Sequence, residues 1–209
     1  PTIDTPNEKM TQEIYLTVEN QYVTLSNGKL IESKNNSDGT RTDYWRLDKP
    51  HAPYLAMIAV GEFKKVIDPN YKDFEVSYYF EPQYEKYALN IFGRTPEMIR
   101  YFEQLLGVKY QWDKYSQIAV REYVSGAMEN TTATIHGDFI QKDKGQLVDD
   151  NDDGVIAHEL FHHWFGDLVT CESWANLPLN ESFADYSEYL WINHKYGQDE
   201  GDLTAYSAL

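Results

Sequence analysis

Residues 158–167 read HELFHHWFGD, and nineteen positions after His162 stands Glu181, in the run LNESFADY. Residues four apart on an α-helix return to nearly the same face, so His158 and His162 can offer two imidazoles to one ion, with Glu159 turned toward the same pocket. An Asn-Glu pair opening a second helix can supply Glu181 as a third ligand. Two His, one carboxylate and an open fourth position suit Zn2+, one per chain. The spacing therefore demands two helices lying side by side, expected over about 154–168 and 180–196, with Gly197 as the stop signal.

Alone, a His pair on an amphipathic helix reads equally well as a packing face. The spaced carboxylate tips the balance toward a metal. Neighbouring His163 lies about 140° round the helix from His158 and reads as a packing residue. His51, His136 and His194 have no ligand-spaced companions. The preceding run GQLVDDNDDG lacks the regular alternation of a calcium loop; its four Asp residues read as helix-start charges that keep a loop solvated.

The rest of the chain changes character near residue 81. Before it come short strand-like runs (EIYLTV, YVTLS, KLIES, TDYWRL, YLAMIAV, FEVSYYF) separated by turn-rich pieces, with Asn27-Gly28 as a two-residue hairpin signal. After it helical signals take over: QYEKYALNIF, then TPEMIRYFEQLLG with Thr95 as cap, Pro96 in the first turn and Gly107 as stop. A strand-like run, YSQIAVREYV, follows. The expected fold class is α+β, an all-β portion over 1–81 followed by a helix-rich portion over 82–209.

A chain of 209 residues, 42% of them hydrophobic, can bury one good core or two modest ones. Its net charge of -16 argues against nucleic acid and anionic membrane surfaces as partners. No apolar run approaches the roughly 20 residues of a membrane span. Cys171, the single cysteine, reads as a small buried residue. PTIDTPNEKM lacks the regions of a signal peptide, and a start at Pro1 reads as an excised piece, which leaves the compartment, cytoplasm or cell envelope, open.

The chemistry follows from the ligand set. Zinc lowers the pKa of water at its open position to about 7, and a carboxylate next to the first ligand can take that water's proton. Glu159 is thus the candidate general base, which then returns the proton to a leaving amine. Each ligating His needs an acceptor for its other ring N–H. Glu188, two turns beyond Glu181, is one candidate, and it reads equally as a solvated surface carboxylate.

Residues 126–130 read GAMEN, between the last strand-like run and the zinc motif. The combination resembles the gluzincin aminopeptidases, the family of aminopeptidase N and leukotriene hydrolase, over nearly the whole chain. The resemblance implies the end of a saddle-shaped β domain, with 74–80 as its final strand, followed by the first half of a thermolysin-like catalytic domain. It implies zinc held by His158, His162 and Glu181. It also implies a substrate-binding edge of Gly126, Ala127, Met128, Glu129 and Asn130, whose Glu129 pairs with the free α-amino group of a peptide. The physics agrees, since small residues let a peptide reach a strand edge and a carboxylate pairs with an ammonium where the substrate ends.

Ser182 and Pro178 depart from the family's usual residues, which bears on substrate preference. The family's transition-state tyrosine is expected beyond Leu209, since Tyr206 is too close to Glu181, and its second amine-binding residue before Pro1. Loss of one such donor costs about two to three orders of magnitude, so a 209-residue piece is expected to be a weak catalyst. Two other readings stand beside the aminopeptidase: a thermolysin-type endopeptidase, and a catalytically silent binding scaffold. An intact base argues against the scaffold. These residues do not separate peptide from lipid-epoxide hydrolysis, an activity of one branch of the family.

Overall fold

The computed structural model describes residues 2–149 and 151–207, so Asp150 of the acidic run lies outside the described residues. The architecture is α+β. Its first strands are β1 (Met10–Glu19), β2 (Val23–Ser26), β3 (Lys29–Asn35), β4 (Thr40–His51) and β5 (Ile58–Gly61). β1, β4 and β3 form one antiparallel sheet in that order, while β2 and β5 pair separately. The sequence NNSDGT closes the β3–β4 hairpin, where Asp38 accepts the Thr40 N–H at 3.0 Å.

Asn27-Gly28 does not make the expected hairpin, because β2 and β3 belong to different sheets. The pair is instead a crossing point. The buried Asn27 side chain accepts the Met57 N–H at 2.8 Å and donates to Leu55 O at 2.9 Å and Thr131 O at 2.7 Å. Gly28, at φ +75, passes so close to β4 that a Cβ would sit 1.9 Å from Arg46 O.

A third, five-stranded sheet contains β6 (Lys64–Ile67), β7 (Glu75–Phe80), β8 (Lys114–Val120), β9 (Ala127–Met128) and β10 (Ala133–Gly137), in the order β6-β7-β8-β10-β9. β7, β8 and β10 run parallel; the outer strands are antiparallel. β7 and β8 are buried along almost their whole length, as parallel strands covered on both faces are. This sheet is continuous across residue 81, where the sequence changes character. β7, within the run read as the last strand of the β portion, pairs with β8 beyond that point.

The crossover from β7 to β8 holds a 3-10 turn (Pro82–Tyr87), α1 (Ala88–Ile91) and α2 (Thr95–Leu106). Gly107, at φ +66, ends α2 as the sequence indicates. Thr95 is not its cap: the hydroxyl accepts Gln117 Nε2 from β8 at 2.8 Å. β8 itself stops at Val120, short of the expected run, and Glu122 takes a left-handed φ of 54. The remaining helices are α3 (Gln146–Asp149), α4 (Asp153–Phe161), α5 (Pro178–Tyr196) and α6 (Gln198–Ser207). Tyr78, Phe80, Phe92, Phe102, Leu160 and Trp191 join sheet and helices in the larger core.

Three features differ from the sequence expectation. α4 ends at Phe161, and the chain then folds back through a bridge between Phe165 and Val169. Gly197 does stop α5, at φ +102, but α6 begins at once. Asp153 is fully buried instead of solvated: it accepts Arg94 Nη1 at 3.0 Å, Trp191 Nε1 at 3.1 Å and the Tyr196 hydroxyl at 2.7 Å. It thereby ties the start of α4 to α2 and α5.

Candidate active site

α4 and α5 approach closely because small side chains separate them. Ala157 and Ala184 have no exposed surface, and Ser187 Oγ reaches Ala157 O at 3.4 Å. The first turn of α5 is pinned by Asn180, which accepts the Cys171 N–H at 3.1 Å and donates to the Tyr54 hydroxyl at 3.2 Å. Glu181, the next residue, is thereby held over the end of α4.

Glu181 Oε2 lies 3.6 Å from His158 Nε2 and 3.6 Å from His162 Nε2. Ligands at about 2.0–2.1 Å from a tetrahedral zinc stand roughly 3.3 Å apart, so a slight contraction would let these atoms share one ion. The other ring nitrogens are engaged in the way a metal ligand needs. His158 Nδ1–H donates to Glu188 Oε1 at 2.8 Å, and His162 Nδ1–H donates to Phe165 O at 3.0 Å. The second bond depends on the fold-back after α4. Gly166, at φ +136, permits it, and a Cβ there would stand 3.0 Å from His162 Nδ1. Both Nε2 atoms are left facing Glu181.

The electrostatics are those of a cation site. Burial alone would lower His158, but its hydrogen bonds to Glu181 and Glu188 outweigh that and raise it to about 10. The same two imidazoles hold the Glu181 carboxyl well below its usual range. Glu159 is only 6% exposed, and Oε2 has no hydrogen-bond partner. Burial pushes its carboxyl up to about 8, against the pull of His162.

GAMEN runs along the rim. Ala127 and Met128 form the edge strand β9, paired to β10 through His136 and Ile135. Glu129, 7% exposed, offers an oxygen that lies with one of Glu159 and a ring nitrogen of His162 inside a 4.8 Å cluster. Gly126, Ala127, Met128 and Glu129 line a cleft of about 380 Å³ together with His158, Glu159, His162 and Glu181. Asn130 does not line it: its side chain donates to Leu55 O at 3.3 Å, and its carbonyl accepts the Ala133 N–H at 2.8 Å.

The other histidines lie elsewhere. His51 and His136 are buried in the sheets, and His194 stacks on Tyr101. Cys171 is buried and free. A larger groove of about 1150 Å³ between α5 and α6 carries Asp185 and Asp202 but no imidazole. Sequence reasoning passed over three buried polar residues at the back of the site, Lys114, Thr132 and Asp167, because each is placed by distant parts of the chain. Nothing in local spacing signals them. His163, the predicted packing residue, is buried between Tyr110 and Tyr115, yet its Nε2 accepts the Thr132 N–H at 2.9 Å.

Comparison with known proteins yields a consistent set. Residues 87–208 match the peptidase family M1 domain, and residues 1–55 match the peptidase M1 N-terminal domain. The chain is similar to glutamyl aminopeptidase of Homo sapiens, 32% identical over 202 residues, covering 93% of this chain and 21% of that protein. It is also similar to glutamyl aminopeptidase of Bos taurus, 33% identical over 199 residues, covering 92% and 20%. Tricorn protease-interacting factor F2 of Thermoplasma volcanium is 34% identical over 197 residues, covering 92% and 24%. The chain thus spans about a fifth to a quarter of the length of these curated relatives.

Proposed function

This chain belongs to peptidase family M1, and from that premise we propose that it carries the metal site, the base and the amine-recognising edge of a zinc aminopeptidase. Its substrates are peptides with a free N-terminus. The observation that supports the reading best is that a Glu129 oxygen, a Glu159 oxygen and a His162 ring nitrogen lie within 4.8 Å of one another, as an amine-binding carboxylate, a base and a metal ligand sharing one site would.

His158, His162 and Glu181 would hold the ion, with Glu188 and Phe165 O orienting the two imidazoles. Zinc in that position would polarise the scissile carbonyl and make water more acidic. Glu159 takes the proton from the attacking water and passes it to the leaving nitrogen. Its buried carboxyl, with one oxygen free of hydrogen bonds, supports that role. Glu129 pairs with the α-ammonium and stops the peptide one residue past the edge, while β9 offers its open side to the substrate main chain.

Cleavage of a free peptide compared with its N-acetylated form tests this reading in the intact protein. The free form should be strongly preferred, and Glu129→Ala should raise KM for it about tenfold or more, as loss of a charge-assisted pair does. Equal cleavage of both forms would point to an endopeptidase. Unchanged discrimination in the variant would remove Glu129 from its role.

A further inference from the structure

The turn that carries the chain from Glu129 into β10 has an unusual residue at its corner. The Ala133 N–H donates to Asn130 O at 2.8 Å, and Thr132, third in that turn, has a φ of 67. With Thr131 outside the left-handed region, the turn is of type II, where this position favours Gly or Asn. A β-branched residue there persists only if its surroundings over-determine it.

They do so atom by atom. Thr132 O accepts the Ser116 N–H at 2.9 Å and Lys114 Nζ at 2.8 Å. Thr132 Oγ1 accepts the Gly28 N–H at 2.7 Å. The Thr132 N–H donates to His163 Nε2 at 2.9 Å, and the opposite nitrogen, Nδ1, donates to the backbone oxygen of Glu159 at 3.3 Å. One imidazole therefore spans from the peptide unit of the base to the turn that anchors Glu129. The ring cannot swing away: it stacks on Tyr110 at 5.6 Å, meets Tyr115 edge-on at 4.9 Å, and its own carbonyl accepts Trp112 Nε1 at 3.0 Å.

We propose that His163 is a positioning residue that sets the separation between Glu129 and Glu159, and so matches the amine end of the substrate to the bond being cut. The proposal rests on the aminopeptidase reading. A ring that merely filled space would serve as well with no acceptor at Nε2. The hydrogen bond to a strained turn is what packing alone does not require.

The test uses the intact, zinc-loaded protein and two variants. His163→Phe keeps an aromatic ring and removes the acceptor; His163→Gln keeps an acceptor oxygen. Zinc per chain, thermal midpoint, and kcat and KM on alanyl 4-nitroanilide are measured for each. His163→Phe should retain its zinc while KM rises about tenfold, the usual scale for one buried hydrogen bond lost, and His163→Gln should restore KM to near the parent value. A packing role predicts otherwise: a lower midpoint and less active protein reduce kcat at constant KM, and Gln does no better than Phe. Either of those results overturns the proposal. If His163→Phe does not fold, His163→Asn, too short to reach Thr132, takes its place with the same outcomes. A parent that cleaves N-acetylalanyl 4-nitroanilide as well as the free form would sink the aminopeptidase reading and this proposal together; a discriminating parent with an unchanged KM in the variant sinks this proposal alone.

Discussion

Asp43 in the N-terminal sheet and Glu159 on α4 are both buried carboxylates, 2% and 6% exposed. Asp43 accepts Thr24 Oγ1 at 2.7 Å, Ser33 Oγ at 2.5 Å and two Arg41 nitrogens at 2.8 and 2.9 Å. Burial alone would raise its carboxyl, but Arg41, Ser33 and Thr24 together hold it below the usual range. Glu159 keeps an unpartnered oxygen and is pushed up by burial. Asp167, fully buried, is likewise pushed up by burial, and His163 Nε2 lies 3.6 Å from its carboxyl. The backbone divides in the same way. Before residue 81, left-handed φ values among the described residues fall only on glycines, Gly28 and Gly39, whereas beyond it Glu122, Thr132 and Asp152 adopt them as well as Gly107, Gly166 and Gly197. The Asp43 carboxylate is committed to the fold, while that of Glu159 retains capacity for something that is not part of it.

Substitutions at the two carboxylates can break this contrast. Glu159→Gln should lower kcat by about two to four orders of magnitude, the usual contribution of a general base, with zinc retained and the thermal midpoint unchanged or higher. Loss of zinc or a marked drop in midpoint would make Glu159 a structural group like Asp43. A smaller effect is expected at the orienting acceptor: Glu188→Ala should weaken zinc binding about 10–100-fold, measured by competition with a chelator, and an unchanged affinity would reduce Glu188 to a surface carboxylate. Asp43→Asn should do the reverse of Glu159→Gln. It should cost about 2 kcal/mol of stability through its weakened bonds to Arg41, visible as a lower denaturation midpoint, and leave kcat and KM as they were. A change in KM there would show that the N-terminal sheet tunes the cleft.

What the sequence makes readable is what short-range geometry controls. The juxtaposition of His158 and His162 needs only one helical turn, and α2 and α5 announce themselves through Pro96, Gly107 and Gly197. The approach of Glu181 is half legible. Its helix can be placed, but its distance depends on Ala157 and Ala184 meeting across two elements. The acceptor that orients His162 is a carbonyl, Phe165 O, to which no side-chain pattern points. Asn27-Gly28 has the composition of a hairpin, and its role is decided by partners at residues 55, 57, 131 and 132. Lys114, Thr132 and His163 fall in the same class, as polar residues whose burial follows from contacts far along the chain.

The bonds from Asn27 and Gly28 to residues 131 and 132 span 104 positions of sequence. At synthesis rates of about 5–20 residues per second, the earlier segment leaves the ribosome roughly 5–20 seconds before the later one. Leu55 and Met57, the crossing's other partners, also precede that turn in the chain, so the crossing can form first and offer the Gly28 N–H to a residue whose own backbone preference would reject the turn.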